Sequence, residues 1–445
     1  MTTYILGELC VARTGIQTGP FGSQLHKEDY AVVGTPIITV EHLGENRITR
    51  QNLPLVSDQD VVRLSRYQLE QGDIVFSRVG SVDRRALVRG EESGWLFSGR
   101  CLRVRPNREL VDPEFLSYYF GLPTFKEYIR GVAVGATMPS INTKILSDAP
   151  VTLPGGVAVQ RLIGRLLGRL DDKIELNRRM NETLEAMAQA IFRDWFVDFG
   201  PVRRKMAGET DPVAIMGGLT PAPARAVELA ALFPAVLTEN GLPEGWADRP
   251  IGDQVEIAGG STPSTADYSL WNPAEHRWAT PKDLSNMSDL ALFETGRRIS
   301  SAGLAKITSG LLPAGTVLLS SRAPIGYLAI AQELVAVNQG FIALKPTTDH
   351  GSAYLYLWCK ANMDAILANA NGSTFQEISK KNFRPITSAV PDAPAVLRAF
   401  GEIAQPLIDR IVSAAGESRS LAETRDYLLP RLMSGAVRVR PSSML

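Results

Sequence analysis

The feature that most constrains this chain is a long-range internal duplication. When the sequence is shifted by 237 positions, Thr137 falls on Thr374, Ile141 on Ile378, Lys144 on Lys381 and Pro154 on Pro391. Ala158 then meets Ala395, Arg161 meets Arg398, Gly164 meets Gly401, and Leu170 meets Leu407. Asp172 with Asp409, Ile174 with Ile411 and Leu184 with Leu421 extend the match, which needs no gap from Thr137 to Phe192. Upstream the match loosens and needs small gaps, with GDIVFS (Gly72 to Ser77) opposite GTVLLS (Gly315 to Ser320) and TVEHL (Thr39 to Leu43) opposite TPKDL (Thr280 to Leu284). Each half therefore reads as one variable domain followed by one more uniform segment, a pattern that makes two similar bodies.

The uniform segment has helical periodicity. In the first copy Ile163, Leu166, Leu170, Ile174, Leu184, Met187 and Ile191 recur at spacings that put them on one face; in the second, Phe400, Ile403, Leu407, Ile411, Leu421 and Leu428 do the same. Glycine and proline close each segment, at Gly200 and Pro201 and at Gly435. Pro406 removes one helical hydrogen bond, so the second copy is expected to be a short helix leading into a long one. An unbroken helix from Gln160 to Phe199 would be about 60 Å long, too long to bury its stripe against one small domain. Two copies can bury theirs against each other, antiparallel if the chain returns through a globular domain; a generic long core helix is the alternative. Asn177 and Ala414 interrupt the stripe, the kind of break that fixes register between paired helices.

The variable domains carry short β-branched runs bounded by glycine and proline, such as TPIITV (Thr35 to Val40), DIVFS (Asp73 to Ser77) and TVLLS (Thr316 to Ser320). Met206 to Leu237 is rich in alanine, glycine and proline and reads as a linker with one short helix.

Composition removes several functional classes. With 44% hydrophobic and 21% charged residues in 445, the chain can bury real cores, and no apolar run reaches the roughly 18 residues of a membrane span. The start, MTTYILGELC, lacks a signal-peptide pattern, and Cys10, Cys101 and Cys359 form no CxxC, so a reducing cytoplasm is expected. The 47 basic residues balance 47 acidic ones, so any DNA affinity must come from local patches. One such patch runs from Ser77 to Arg108, where Arg78, Arg84, Arg85, Arg89, Arg100, Arg103, Arg105 and Arg108 face only Asp83, Glu91 and Glu92 in the count; a solvated strand face would give the same composition. The four histidines show no metal-ligand spacing, and there is no Walker A loop, no ExK tripeptide and no Asn-Pro-Pro-Tyr-like motif. TGPFGS (Thr18 to Ser23) is the nearest approach to a phosphate loop and reads as a turn. A binding protein without catalytic chemistry is expected.

Several segments carry a family resemblance. DDKIELNRRMNETLEAMAQAIFRDWFVDF (Asp171 to Phe199) closely resembles the central helix of Type I restriction–modification specificity subunits. GGSTPS (Gly259 to Ser264), TPKDL, SRAPIGYLAI (Ser321 to Ile330), VNQGF (Val337 to Phe341), NGSTFQEISKKNF (Asn371 to Phe383) and LPEGW (Leu242 to Trp246) match the family's loop patterns. The resemblance implies an α+β chain of two mixed α/β target-recognition domains separated by two long antiparallel conserved helices, with pseudo-two-fold repetition. It sets boundaries at 1–155 and 241–392 for the domains, 156–200 and 393–436 for the helices, 201–240 for the linker and 437–445 for a tail. It further implies double-stranded DNA as the ligand, each domain reading half of a bipartite asymmetric site while the helices set the gap. Two methyltransferase subunits would dock on the helices to methylate adenine, and two motor–nuclease subunits would complete the restriction complex. Cofactors would belong to those partners, which use ATP, Mg and S-adenosylmethionine; this chain would hold none.

Direct readout needs forked donors on loops that reach a groove. In the second domain the candidates are Ser264, Lys282, Arg322, Asn338, Gln339, Gln376 and Lys380; in the first, Ser23, His42, Arg78, Arg84, Arg85, Arg100 and Lys144. The first half departs from the family loops, with SRVGSVDR (Ser77 to Arg84) for SRAPIG and FSGR (Phe97 to Arg100) for VNQG, which fits a different target sequence. Two other readings stay open at this point: a recognition partner of a fused nuclease–methyltransferase, and a protein-interaction scaffold with no DNA role.

Overall fold

The computed structural model describes residues 1–20, 24–220, 222–285, 287, 289–322, 324–372 and 376–439. Its contacts divide into two units, Met1–Ile174 with Ser420–Leu445, and Glu175–Arg419.

In the first unit a five-stranded sheet runs in the order Ile16–Thr18, Cys101–Val104, Ile74–Ser77, Arg85–Leu87, Glu45–Asn46. The inner strands are antiparallel, with Leu102 opposite Phe76 and Ile74 opposite Leu87, and Glu45–Asn46 adds a parallel edge. Alternation along the central strand divides its side chains between two cores. Ile74 and Phe76 pack with Phe115, Leu116 and Tyr118 of the short helix Pro113–Tyr119 and with Ile163 and Leu167 of the first long helix. Val75 faces the other way, into a core with Ile37, Ile38 and Phe97. A two-stranded ladder pairs Thr2–Ile5 with Pro150–Leu153 and closes the body just before the long helix starts.

The second unit repeats this plan. Its five strands run Ile257–Ala258, Phe341–Leu344, Val317–Ser320, Leu328–Ala331, Ala291–Leu292, again with a parallel last edge. Trp246–Pro250 pairs with Thr387–Pro391 as the closing ladder. The aligned GDIVFS and GTVLLS segments supply the central strand of each sheet.

The long helices span Val157–Phe196 and Ala395–Met433. The second is continuous, contrary to the expected break at Pro406. That proline lies on the exposed side, so the Glu402 carbonyl it leaves without an amide partner is open to water. Within each unit the helices pack antiparallel. In the first unit Ile163 and Leu167 share a core with Leu429, Leu432 and Met433. In the second, Phe192 stacks edge-on against Phe400 with ring centroids 5.7 Å apart, and Asn177 meets Ala414. The buried face follows the stripe read from the sequence only in part: Ile163, Phe400 and Ile411 are buried on it, but Ala188 is fully buried while Met187 is 49% exposed. Asp171, Asn177 and Asn181 occupy seam positions, and as polar residues they left no apolar signal there.

The segment Met206–Leu237 is not a simple linker. It forms helices Pro212–Ile215 and Pro223–Ala231 and buries Ile215, Met216, Leu229 and Phe233, with Phe233 edge-on to Trp195 at 5.0 Å. Alanine and proline here start and fill short helices, since proline is tolerated in a first turn. No helix among the described residues is long and apolar enough to cross a membrane.

Candidate nucleic-acid interface

Each sheet ends at its central strand in a knot of three loops held by main-chain hydrogen bonds. In the first unit Arg78 N donates to Arg100 O at 2.8 Å, Ile141 N to Arg78 O at 2.9 Å and Gly80 N to Pro139 O at 2.8 Å. In the second, Ser321 N donates to Gly340 O at 2.8 Å and Ile378 N to Ser321 O at 3.0 Å. Serine caps both turns: Ser77 Oγ donates to Val79 O at 2.9 Å and Ser320 Oγ to Pro324 O at 2.8 Å. Main-chain bonding pre-forms the loops, leaving side chains at their tips free to differ between the units. By this backbone pairing Arg78 corresponds to Ser321, and Val79 to Arg322; the motif match of SRVG with SRAP is offset by one residue from the structural one.

The second knot brings together most of the residues expected there. Arg322 lies beside Glu377 at 3.6 Å, and Gln376 is exposed next to it. Gln339 is exposed and accepts from Thr262 Oγ1 at 2.7 Å, while Asn338 Oδ1 accepts from Gly340 N at 2.9 Å and so shapes its own turn. The Lys380 ammonium lies against Gly259, and Lys282 is exposed on the short helix Pro281–Leu284, whose Pro281 abuts Gly340. Ser264 is exposed and contributes its carbonyl to Trp271 Nε1 at 2.9 Å. Ser23 falls outside the described residues, as do Ala323 and 373–375.

The first knot keeps fewer. Arg78 and Arg100 belong to it, Arg100 exposed; Arg84 is exposed but sends its guanidinium to Leu43 O. Lys144 is exposed on the following helix turn and pairs with Asp148 at 2.7 Å. Two candidates are corrected. Arg85 is 3% exposed and donates from Nε to Ser117 O at 2.9 Å, so its fork ties the sheet to the short helix Pro113–Tyr119. His42 is 5% exposed, and its Nδ1 lies 3.1 Å from Thr39 N and 2.9 Å from Thr39 Oγ1. In the second unit Asp283 closes the same capping box on Thr280, at 2.7 and 2.8 Å, so His42 replaces a cap-forming carboxylate.

Much of the arginine-rich patch is bonded within its own unit, although only Arg85 and Arg103 are buried. Arg103 is 2% exposed and donates to Thr14 O and Gln17 Oε1; Arg105 grips Asp73 and Glu70; Arg89 reaches Asp172; Arg108 donates to Gln71 O. These guanidiniums bind carbonyls and carboxylates of their own domain.

A cationic feature without a sequence motif lies on the small sheet Arg297–Ile299, His276–Ala279, Ala336–Val337. The Arg297 guanidinium sits 3.6 Å over the Trp271 ring and 5.5 Å from Trp278. Arg277 and Arg298 both hold Glu294 at 3.0 Å, and these arginine hydrogen bonds pull its carboxyl below the usual range. In the first unit Arg50 lies 5.6 Å over Trp95. Pairing of the tryptophans with arginines distant in sequence was the only available signal, and no spacing rule expresses it. No group of three or more His, Cys, Asp or Glu suited to a metal ion occurs among the described residues.

Comparison with known proteins places these knots in context. The family model described as the Type I restriction modification DNA specificity domain matches residues 2–186 and again 243–408. The HindI specificity subunit of the Type I restriction enzyme from Haemophilus influenzae is 26% identical, over 85% of this chain and 89% of its own. The MjaIX specificity subunit from Methanocaldococcus jannaschii is 37% identical over a shorter stretch, 34% of this chain and 35% of its own. The crystal structure of a Type I restriction–modification S subunit from M. genitalium shares the fold, with a TM-score of 0.55 at 14% identity, covering 97% of this chain and 95% of that one.

Proposed function

Because this chain belongs to the Type I restriction–modification DNA specificity family, we propose that each unit reads one half of a bipartite duplex site through its loop knot. As a specificity subunit it is the DNA-recognition component of a multi-subunit restriction–modification complex. The observation that carries the finer reading is the repeated knot: the same main-chain bonds hold the same three loops in both units, with different side chains at the tips. A fixed frame with exchangeable donors suits base reading, since arginine recognises guanine and asparagine or glutamine recognises adenine by paired hydrogen bonds in the major groove. Lys282, Lys380 and Ser264 beside the second knot suit phosphate contacts, which set position without reading sequence.

In this reading two methyltransferase subunits dock on the long helices and two motor–nuclease subunits complete the restriction form, in the cytoplasm. ATP, Mg and S-adenosylmethionine serve those partners. The purified chain alone, given DNA and all three, neither cuts, methylates nor hydrolyses ATP.

The test is domain replacement. Exchanging Gln254 to Ala389 for the matching segment of a relative, in the presence of methyltransferase partners, is expected to change one half-site in the methylome and leave the other intact. A simultaneous change of both half-sites overturns the two-reader scheme.

A further inference from the structure

The two long helices derive from one repeated sequence, yet the polar contacts between them obey no symmetry. In the first unit Asp171 of the first helix accepts from Arg425 Nη1 of the second at 2.6 Å, with side chains 6% and 18% exposed. In the second unit Asn177 Nδ2 faces Ala414 O at 3.3 Å, Glu417 Oε2 at 2.8 Å and Ser418 Oγ at 3.2 Å. Asn177 and Ala414, in contact within the second unit, are each other's repeat equivalents. The equivalent of Asp171 is Ile408 and that of Arg425 is Ala188, both buried in the apolar core of the second unit. Glu417 and Ser418 correspond to Met180 and Asn181.

We infer that the helices carry a heterotypic pairing code, in which the first helix fits the second and neither fits another copy of itself. Two first helices in the same register would set Asp171 against Ala188, so the buried carboxylate would keep the Tyr118 hydroxyl but gain no cation from the paired helix. Two second helices would set Arg425 against Ile408, leaving its guanidinium only the exposed Asp426 carboxylate of its own helix, at 2.9 Å. Removing one member of a buried pair is strongly destabilising because the other charge stays in a low-dielectric site. Asn177 would meet Met180 and Asn181 in place of Glu417 and Ser418, losing its charged acceptor. The apolar positions tolerate all pairings, so discrimination rests on these polar seats, acting as repulsion against the like pairs. The code matters because each unit is completed by a helix from the other half: Leu429, Leu432 and Met433 enter the first core, and Phe192, Trp195 and Phe196 the second. A like pair would join two copies of one recognition domain.

The test starts from the full chain with a protease site inserted between Glu239 and Asn240, in the exposed turn Thr238–Gly241. The folded protein is cleaved, as is the charge-exchanged double variant Asp171→Arg/Arg425→Asp with a heavy isotope label. The two are mixed under partially denaturing conditions, returned to native buffer, and weighed by native mass spectrometry. Unlike halves are expected throughout, with charge-matched pairs exceeding mismatched ones by about tenfold or more. Like-half dimers in comparable amount, or statistical mixing of matched and mismatched pairs, overturn the code. Should the halves stay locked together, thermal unfolding of the intact chain decides. Asp171→Arg and Arg425→Asp each lower Tm and the double variant recovers at least half the loss; absence of recovery overturns the code equally.

Discussion

Tyr118 on a short helix of the first domain donates its phenolic hydrogen bond to Asp171 of the first long helix at 2.5 Å, and the same carboxylate accepts from Arg425. Burial, and then the adjacent Asp171 charge, push the phenol above its ordinary range, so it remains a donor. Tyr118→Phe should cost about 1.5–3 kcal/mol, the net worth of a hydrogen bond to a charged group. Asp171→Ala should cost about 3 kcal/mol, the lower end for breaking a buried pair, because Arg425 keeps only the exposed Asp426 carboxylate beside it. Urea unfolding of both variants and of their combination tests this, and strictly additive losses would show that the three groups do not act as one network.

The repeat provides its own control for helix packing. A Cβ built at Gly164 would lie 2.9 Å from the Phe115 backbone nitrogen, while one at the equivalent Gly401 meets nothing within 4 Å. Gly401→Ala should therefore stabilise by about 0.5–1 kcal/mol through helix propensity. Gly164→Ala should destabilise, since the short helix Pro113–Tyr119 must move away. Thermal melts that rank the two variants the other way would contradict the close approach at Gly164.

Base reading and phosphate binding separate by salt and sequence dependence. Arg322→Ala should cost about 1–3 kcal/mol and relax one base position if its fork grips a guanine. Arg297→Ala, on the tryptophan-backed surface, should weaken binding evenly across sequences and lower the salt slope by about one. Binding of the assembled methyltransferase complex to a panel of single-base site variants at several salt concentrations distinguishes them. A uniform loss on Arg322→Ala would mark it as a phosphate contact.

The three cysteines are all buried. Burial pushes the thiols of Cys10 and Cys101 up to about 12, and Cys359 higher still. A raised thiol pKa leaves almost no thiolate at pH 8, and the thiolate is the nucleophile. Alkylation of the native protein at that pH should be slow and should follow global unfolding in urea. Rapid labelling of any of the three would show that its site opens locally.

Much of the architecture was legible from residues alone. Ungapped repetition from Thr137 onward required two similar bodies, the 3.6-residue periodicity required long helices, and the aligned GDIVFS and GTVLLS runs mark the central strands. These signals are local or periodic, so a single sequence carries them. The loop motifs of the second half also converge, although the bonds that join them, such as Ile378 N to Ser321 O, link segments far apart in sequence.

Tertiary structure alone decided which polar groups face inward. Arg85 and Arg103 look like any solvent-facing donors in sequence, but they satisfy carbonyls contributed by segments remote from them, while His42 is buried closing a cap on Thr39 only three residues before it. The helix seam shows the same limit, since Asp171, Asn177 and Ala188 lie at its buried centre while Met187 points outward. Apolar periodicity finds a face only where the buried residues are apolar; a charge buried against its partner costs little only after that partner has been brought alongside. That partner, Arg425 for Asp171, stands more than two hundred residues away and is supplied by the fold.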